Sequence, residues 1–335
     1  MNWFKLADVL NVGFFNVIIK LPYMDRSSDD MDGVLPLFKE RGMTSADCVA
    51  KVRHILHMRK VGHSGTLDPN VDGVLPICLG QATKIVNLLM NSGKTYTGEI
   101  TLGFATTTED LDGEIIAQKK LLTPFTNEQL DAVFQQMTGD LIQIPPMYSA
   151  VKVHGRRLYE YARAGESVER PERRIKVTQF IRLGETVFDP TKGTQKIKFE
   201  VQCSKGTYVR TLAVDFGKKL QVPAVMSQLT RQASGGFTIA DTVTLAQLTQ
   251  VVNEHHCSQV IWPLQKVLAK YPQVFLTSDQ WTRVHNGTAI HLNHNDDKVV
   301  ALMYDGTVKA LYQRTALHSY KPMIMLLQNN GVAHE

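Results

Sequence analysis

The chain has 335 residues, of which 43% are hydrophobic and 21% charged, which excludes a disordered or fibrous protein and leaves room for one large and one small domain. A net charge of +5 and an isoelectric point near 8.9 favour contact with a polyanion, because surface Lys and Arg displace the counterions condensed on nucleic acid, although many basic proteins bind none. Cys48, Cys78, Cys203 and Cys257 form no C-x-x-C pair, which argues against a disulfide framework or zinc ribbon and for a reducing, cytoplasmic setting.

The most apolar early stretch, Val9 to Leu21, is broken by Asn11, Asn16 and Lys20 and falls short of the roughly 20 residues that span a bilayer. It has no clear small-residue cleavage site, so neither a membrane anchor nor a secretion signal is expected. A polar break at Arg26 to Asp30 precedes Met31, so residues 1–31 read as an N-terminal extension and Met31 as a candidate start, to be decided against Met1 by the intact mass of the native protein.

From Thr44 to Lys60 the spacing of Val49, Val52, Ile55 and Leu56 predicts an amphipathic helix, with Thr44 as cap and Asp47 in the first turn. Its outer face carries Lys51, Arg53, His54, His57, Arg59 and Lys60, the pattern of a solvated face or, since no acid occurs between Asp47 and Asp68, of an RNA-facing one. Tyr96, Gly98, Ile100, Leu102 and Phe104 alternate with polar residues and predict a half-buried strand, as do Ile197, Phe199, Val201 and Cys203. Asn127 to Thr138 and Thr211 to Leu220 predict helices. Strands mixed with helices, without regular βαβ repetition, point to an α+β domain over residues 32–250. Short strands and turns then predict a small β-rich domain over residues 251–335, with a tight hairpin at Asp305-Gly306.

The densest segment is Gly62-His63-Ser64-Gly65-Thr66-Leu67-Asp68-Pro69, continuing to Asp72-Gly73-Val74-Leu75-Pro76. Two glycines and a proline around one carboxylate imply a shaped loop, and taken alone Asp68 is as well read as a turn residue. Gly62 to Pro69 resembles the G-H-x-G-x-L-D-P loop of the TruB family of bacterial tRNA pseudouridine synthases. Gly80 to Lys84, Lys94-Thr95-Tyr96, Gly103 to Asp110, Pro145 to Lys152 and Gly206 to Arg210 resemble further family segments in the same order, and the likeness runs from Asp32 to Gly236 and more loosely beyond.

That resemblance implies a mixed-sheet catalytic domain with a PUA-like RNA-binding C-terminal domain, and isomerisation of a uridine at position 55 in the T-loop of tRNA. It implies Asp68 as nucleophile, with attack at C1′, elimination through a glycal and addition at C6 all open, and no cofactor or metal. A carboxylate in a partly dry pocket needs a cation to stay charged, and the resemblance gives that place to Arg210. Tyr96 takes the stacking and general-base position, Tyr208 lines the pocket, and Lys84 is a further neighbour. His63 fills the space left by a flipped base. The partner implied is tRNA through its T-arm, with no obligatory protein partner, and the protein is expected to be a monomer.

From Lys152 to Lys176, eight Lys or Arg are interleaved with Tyr159 and Tyr161 against four Glu, which suits RNA or a salt-bridged helix. Ser92-Gly93-Lys94-Thr95 lacks the first glycine of a phosphate loop. His255-His256-Cys257, the set His285, His291 and His294, and the run Asp110, Asp112 and Glu114 lack recognised ligand spacing. Competing readings are a hydrolase pairing Asp68 with Asp72, a tRNA-folding helper without chemistry, and a relative guided by small RNAs, which the lack of long basic tails disfavours.

Overall fold

The computed structural model describes residues 31–293 and 295–327; the expectations for residues 1–30 and for His294 lie outside them. Thr44 accepts from the Asp47 N–H while Asp47 accepts from the Thr44 N–H, a reciprocal cap that starts the helix Ser45–Leu56. Cys48, Val49, Val52 and Leu56 face inward and Lys51, Arg53 and His54 outward. The helix ends four residues short of the predicted Lys60, because His57 adopts a left-handed conformation (φ 50°). The other two predicted helices span Asn127–Gln136 and Val209–Lys219.

The alternating segments form the strands Lys94–Leu102 and Thr194–Cys203, which pair antiparallel with Tyr96 opposite Val201. They lie in an 11-stranded sheet whose main path runs Trp262–Pro263, Gly33–Lys39, Asp72–Leu79, Ala224–Ser234, Lys94–Leu102, Thr194–Cys203, Arg173–Arg182, Gly139–Gln143. Along this path only Asp72–Leu79 and Ala224–Ser234 run parallel, and the sheet is therefore mixed. Gly73 sits at that junction with φ 110°, its Cα paired with that of Arg231.

The strand Asp72–Leu79 is covered on both faces of the sheet. Leu75, Ile77 and Leu79 pack with Cys48, Val52 and Leu56 of the first helix in the main core. Val74 and Cys78, pointing the other way, join a second core with Val34, Ala82 and Leu89 and with Ala301, Met303, Leu311 and Leu326 of the C-terminal domain. Burial on both faces explains why Asp72–Leu79 reads as a near-continuous apolar run, whereas Thr194–Cys203, with alternate side chains less buried, keeps its alternation.

The C-terminal domain is a five-stranded sheet in the order Gln273–Phe275, Val299–Tyr304, Thr307–Ala316, Ser319–Met325, Ile290–His291. Asp305 and Gly306 both have positive φ, as the predicted hairpin turn requires. Past residue 250 the chain stays with the large sheet as far as Pro263, Trp262 pairing with Val34, and the separate sheet begins only at Gln273. Among the described residues no helix is long and apolar enough to cross a membrane.

A Cβ on Gly73 would lie 2.3 Å from the Arg231 carbonyl oxygen, whereas Gly236, with φ 88°, faces open space. We expect Gly73→Ala to lower the unfolding free energy by about 3 kcal/mol and Gly236→Ala by about 1 kcal/mol in urea titrations. Equal losses would contradict the close approach at Gly73.

Candidate active site

The loop from Ser64 to Val71 is held from inside by two cations that are 0% exposed. Lys39, last residue of the strand Gly33–Lys39, donates to the carbonyls of Val71 (2.7 Å), Pro69 (3.0 Å) and Glu40 (3.1 Å). Arg231 donates through Nε to the Val74 carbonyl (2.7 Å) and through its terminal nitrogens to those of Gly65 (3.1 Å) and Thr66 (3.4 Å). Ser45, at the start of the first helix, accepts from the Leu67 N–H at 2.9 Å, and Gly42 donates to the Pro69 carbonyl at 2.9 Å. Nearly every carbonyl of this glycine-containing segment therefore has a donor, and Asp68 is presented on a fixed frame.

Asp68 meets Arg210 at 3.0 Å. Arg210 belongs to the helix Val209–Lys219 and is 5% exposed. Its other nitrogens donate to the carbonyls of Thr108 (2.8 Å) and Tyr148 (3.0 Å), and Asp110 approaches it at 3.7 Å. Asn70 binds Asp112 at 2.7 Å, which ties the 108–112 turn to the Asp68 loop. Desolvation outweighs Arg210, and Asp110 and Asp112 add to it, so the Asp68 carboxyl is pushed above its ordinary value of 3.8. Arg210 is the cation beside Asp68, and it opposes a larger upward push from burial. With 42% of its side chain accessible, Asp68 still meets solvent, which moderates that push.

Tyr96 is buried in the central strand Lys94–Leu102, flanked by Arg231 on one side and Val201 on the other. Burial raises its phenol, while the charge of the neighbouring Arg231 guanidinium pulls it down; it lies near enough to Asp68 to feel the carboxylate. His63 ends the short strand Val61–His63 beside Ile77, half-buried, and its Nδ1 has no partner among the described residues. Burial first and Arg231 second lower its imidazole, so His63 is neutral at pH 7. The backbone of Tyr208 is clamped by Gln143, which accepts from its N–H (2.8 Å) and donates to its carbonyl (3.0 Å).

Lys152 is exposed in a small hairpin with Arg156 and Arg157. Lys84 takes a different place from the one expected: it donates to the Met325 carbonyl at 2.8 Å, across to the C-terminal sheet, and makes no contact with the Asp68 cluster. Asp72, the acid required by a hydrolase, is bound by Arg41 (2.9 Å) and Thr230 (2.6 Å). Among the described residues no three His, Cys, Asp or Glu side chains come together to hold a metal ion. Sequence reasoning passed over Arg231 and Lys39, whose signal was a lone cation in an otherwise apolar or alternating strand, and set Asp110 aside as a fragment of a calcium loop.

The family model described as TruB family pseudouridylate synthase (N terminal domain) matches residues 53–209, and that described as tRNA pseudouridylate synthase B C-terminal domain matches residues 210–269. This chain belongs to the TruB family. It is 56% identical over 303 residues to the tRNA pseudouridine synthase B of Latilactobacillus sakei subsp. sakei (strain 23K), covering 90% of this chain and 99% of that protein. To the protein of the same name from Pediococcus pentosaceus (strain ATCC 25745) it is 57% identical, covering 89% and 99%. Its fold is similar to that of a chain in the crystal structure of a Cbf5-Nop10-Gar1 complex, with a TM-score of 0.65 and 26% identity over 88% of this chain and 85% of that one. The TruB catalytic frame and the C-terminal β-rich domain are thus shared well beyond close sequence relatives.

An Asp with a raised folded-state pKa binds more protons in the native than in the unfolded protein between 3.8 and the raised value, so its contribution to stability falls as pH rises through that window. We expect Asp68→Asn to gain stability relative to wild type between pH 4 and pH 7, measured by denaturant unfolding at both. A constant difference would contradict the desolvated carboxylate.

Proposed function

We propose that this TruB-family chain converts uridine to pseudouridine at position 55 in the T-loop of tRNA, with Asp68 as nucleophile. The observation that supports it most is the Asp68–Arg210 pair on a rigid, cation-held loop, with Tyr96 buried beside it. In the reaction the C1′–N1 bond breaks, the uracil turns, C5 bonds to C1′, the C5 proton leaves and N1 gains one. Composition and oxidation state are unchanged, so the step consumes no nucleotide and needs no redox partner.

Asp68 attacks in its ionised form, whether at C1′, after a glycal or at C6, and Arg210 holds the carboxylate in position throughout. Tyr96 stacks on the base and takes part in the C5 proton transfer. A loop uridine reaches Asp68 only after flipping out, and His63, neutral and with a free Nδ1, suits the vacated place. Tyr208 closes the pocket. Phosphates are met by the Lys152 hairpin, where Arg157 lies 5.8 Å over the part-exposed Tyr159, while Arg156 covers the buried Tyr161 at 4.3 Å and pairs with Glu166. The protein acts as a monomer without an obligatory protein partner.

Purified protein incubated with unmodified tRNA transcript and no added cofactor is expected to form pseudouridine at the T-loop position, mapped by chemical labelling. Asp68→Asn is expected to lose at least about 10⁴-fold in single-turnover rate while still binding tRNA. Tight binding with no pseudouridine from the wild type would instead support a tRNA-folding helper. The rate should rise with pH along a limb centred above 3.8, because Asp68 must be ionised and its carboxyl is pushed up; a limb at or below that value would sink the assignment. Affinity should fall steeply with salt, and replacing both Lys152 and Arg157 by Gln should reduce the log–log slope by about 1 to 2.

A further inference from the structure

Arg231 is a fully buried guanidinium on a central strand, and no carboxylate pairs with it among the described residues. Burying an arginine in this way is costly, and an apolar side chain of similar volume would fill the same space. What it contacts accounts for its presence. Of its five donors, Nε holds the Val74 carbonyl at 2.7 Å and two more hold the carbonyls of Gly65 (3.1 Å) and Thr66 (3.4 Å). Its backbone pairs with Gly73 on one side and Tyr96 on the other. One planar, rigid fork, carried on the residue paired with Tyr96, therefore joins the main chain leading to Asp68 and the strand leaving it.

We infer that Arg231 is a positioning residue for the isomerisation, a buried guanidinium that locks the approach to Asp68 against the strand carrying Tyr96 in a single relative geometry. The inference rests on the isomerase reading above. Arg231 itself lies behind the loop and touches no substrate, so its loss acts on the chemical step and not on the RNA-facing surface. Misplacing reacting groups by about 1 Å costs on the order of 100-fold in rate.

Arg231→Lys tests this, because it keeps the charge and most of the volume but replaces the planar fork with a single ammonium. The variant is expected to unfold cooperatively, bind T-arm RNA within about threefold of wild type, and form pseudouridine about 100-fold more slowly in single turnover. A single-turnover rate within about threefold of wild type, or a rate loss matched by equal loss of RNA affinity or folded fraction, would overturn the inference.

Should Arg231→Lys not fold, arginine-selective ¹⁵N spectra of the wild type decide. A slowly exchanging Arg231 Nε–H supports the lock on the Val74 carbonyl, and a fast-exchanging signal overturns it. Absence of pseudouridine with wild-type protein would remove the isomerase reading, and the spectra would still report separately on whether the fork joins these groups.

Discussion

A lysine ammonium and an arginine guanidinium, both shut away from water, face the carbonyl oxygens of one short loop, and the placement of Asp68 follows from them. Lys39 enters from the edge of the strand Gly33–Lys39 and Arg231 from the strand Ala224–Ser234 on the other side. Peptide carbonyls are dipoles, and a buried cation aligned with several of them is solvated by protein in place of water. The loop is the cations' solvation shell, and the cations are the loop's scaffold. Two strands separated far along the chain are thus committed to a common geometry before any RNA arrives.

The same positive interior shapes the chemistry of the groups around it. Arg231 holds down the imidazole of His63 and opposes the burial that raises Tyr96. Arg210 does for Asp68 what it can against desolvation and the neighbouring Asp110 and Asp112. A carboxylate left less stable than in water is a better nucleophile than one fully satisfied by hydrogen bonds, which is the property that the proposed role of Asp68 requires.

What the sequence made legible was local. The Thr44–Asp47 cap, the alternation of the two central strands and the Asp305-Gly306 turn each depend on residues a few positions apart, and each is where it was expected. The order of the loop motifs located Asp68, Tyr96 and Arg210 without showing how they are held. The holding contacts are remote: Arg231 and Gly65 are 166 positions apart, and Lys84 and Met325 are 241. A cation within an apolar strand reads as an anomaly until the carbonyls it serves are known, which is why Lys39 and Arg231 went unnoticed. The strand Trp262–Pro263 was likewise hidden, because two residues carry no period, and the change in texture near residue 250 preceded the change of sheet.

The second core has a mechanical meaning. Val74 and Cys78 lie on the strand that leaves the Asp68 loop, and they share one core with Ala301, Met303 and Leu311 of the C-terminal sheet. Close-packed side chains transmit position with little give. The pocket and the C-terminal sheet are therefore joined as two jaws of a fixed caliper, not as beads on a linker. On the proposed function, an RNA spanning both would have to match that distance by its own length and bend.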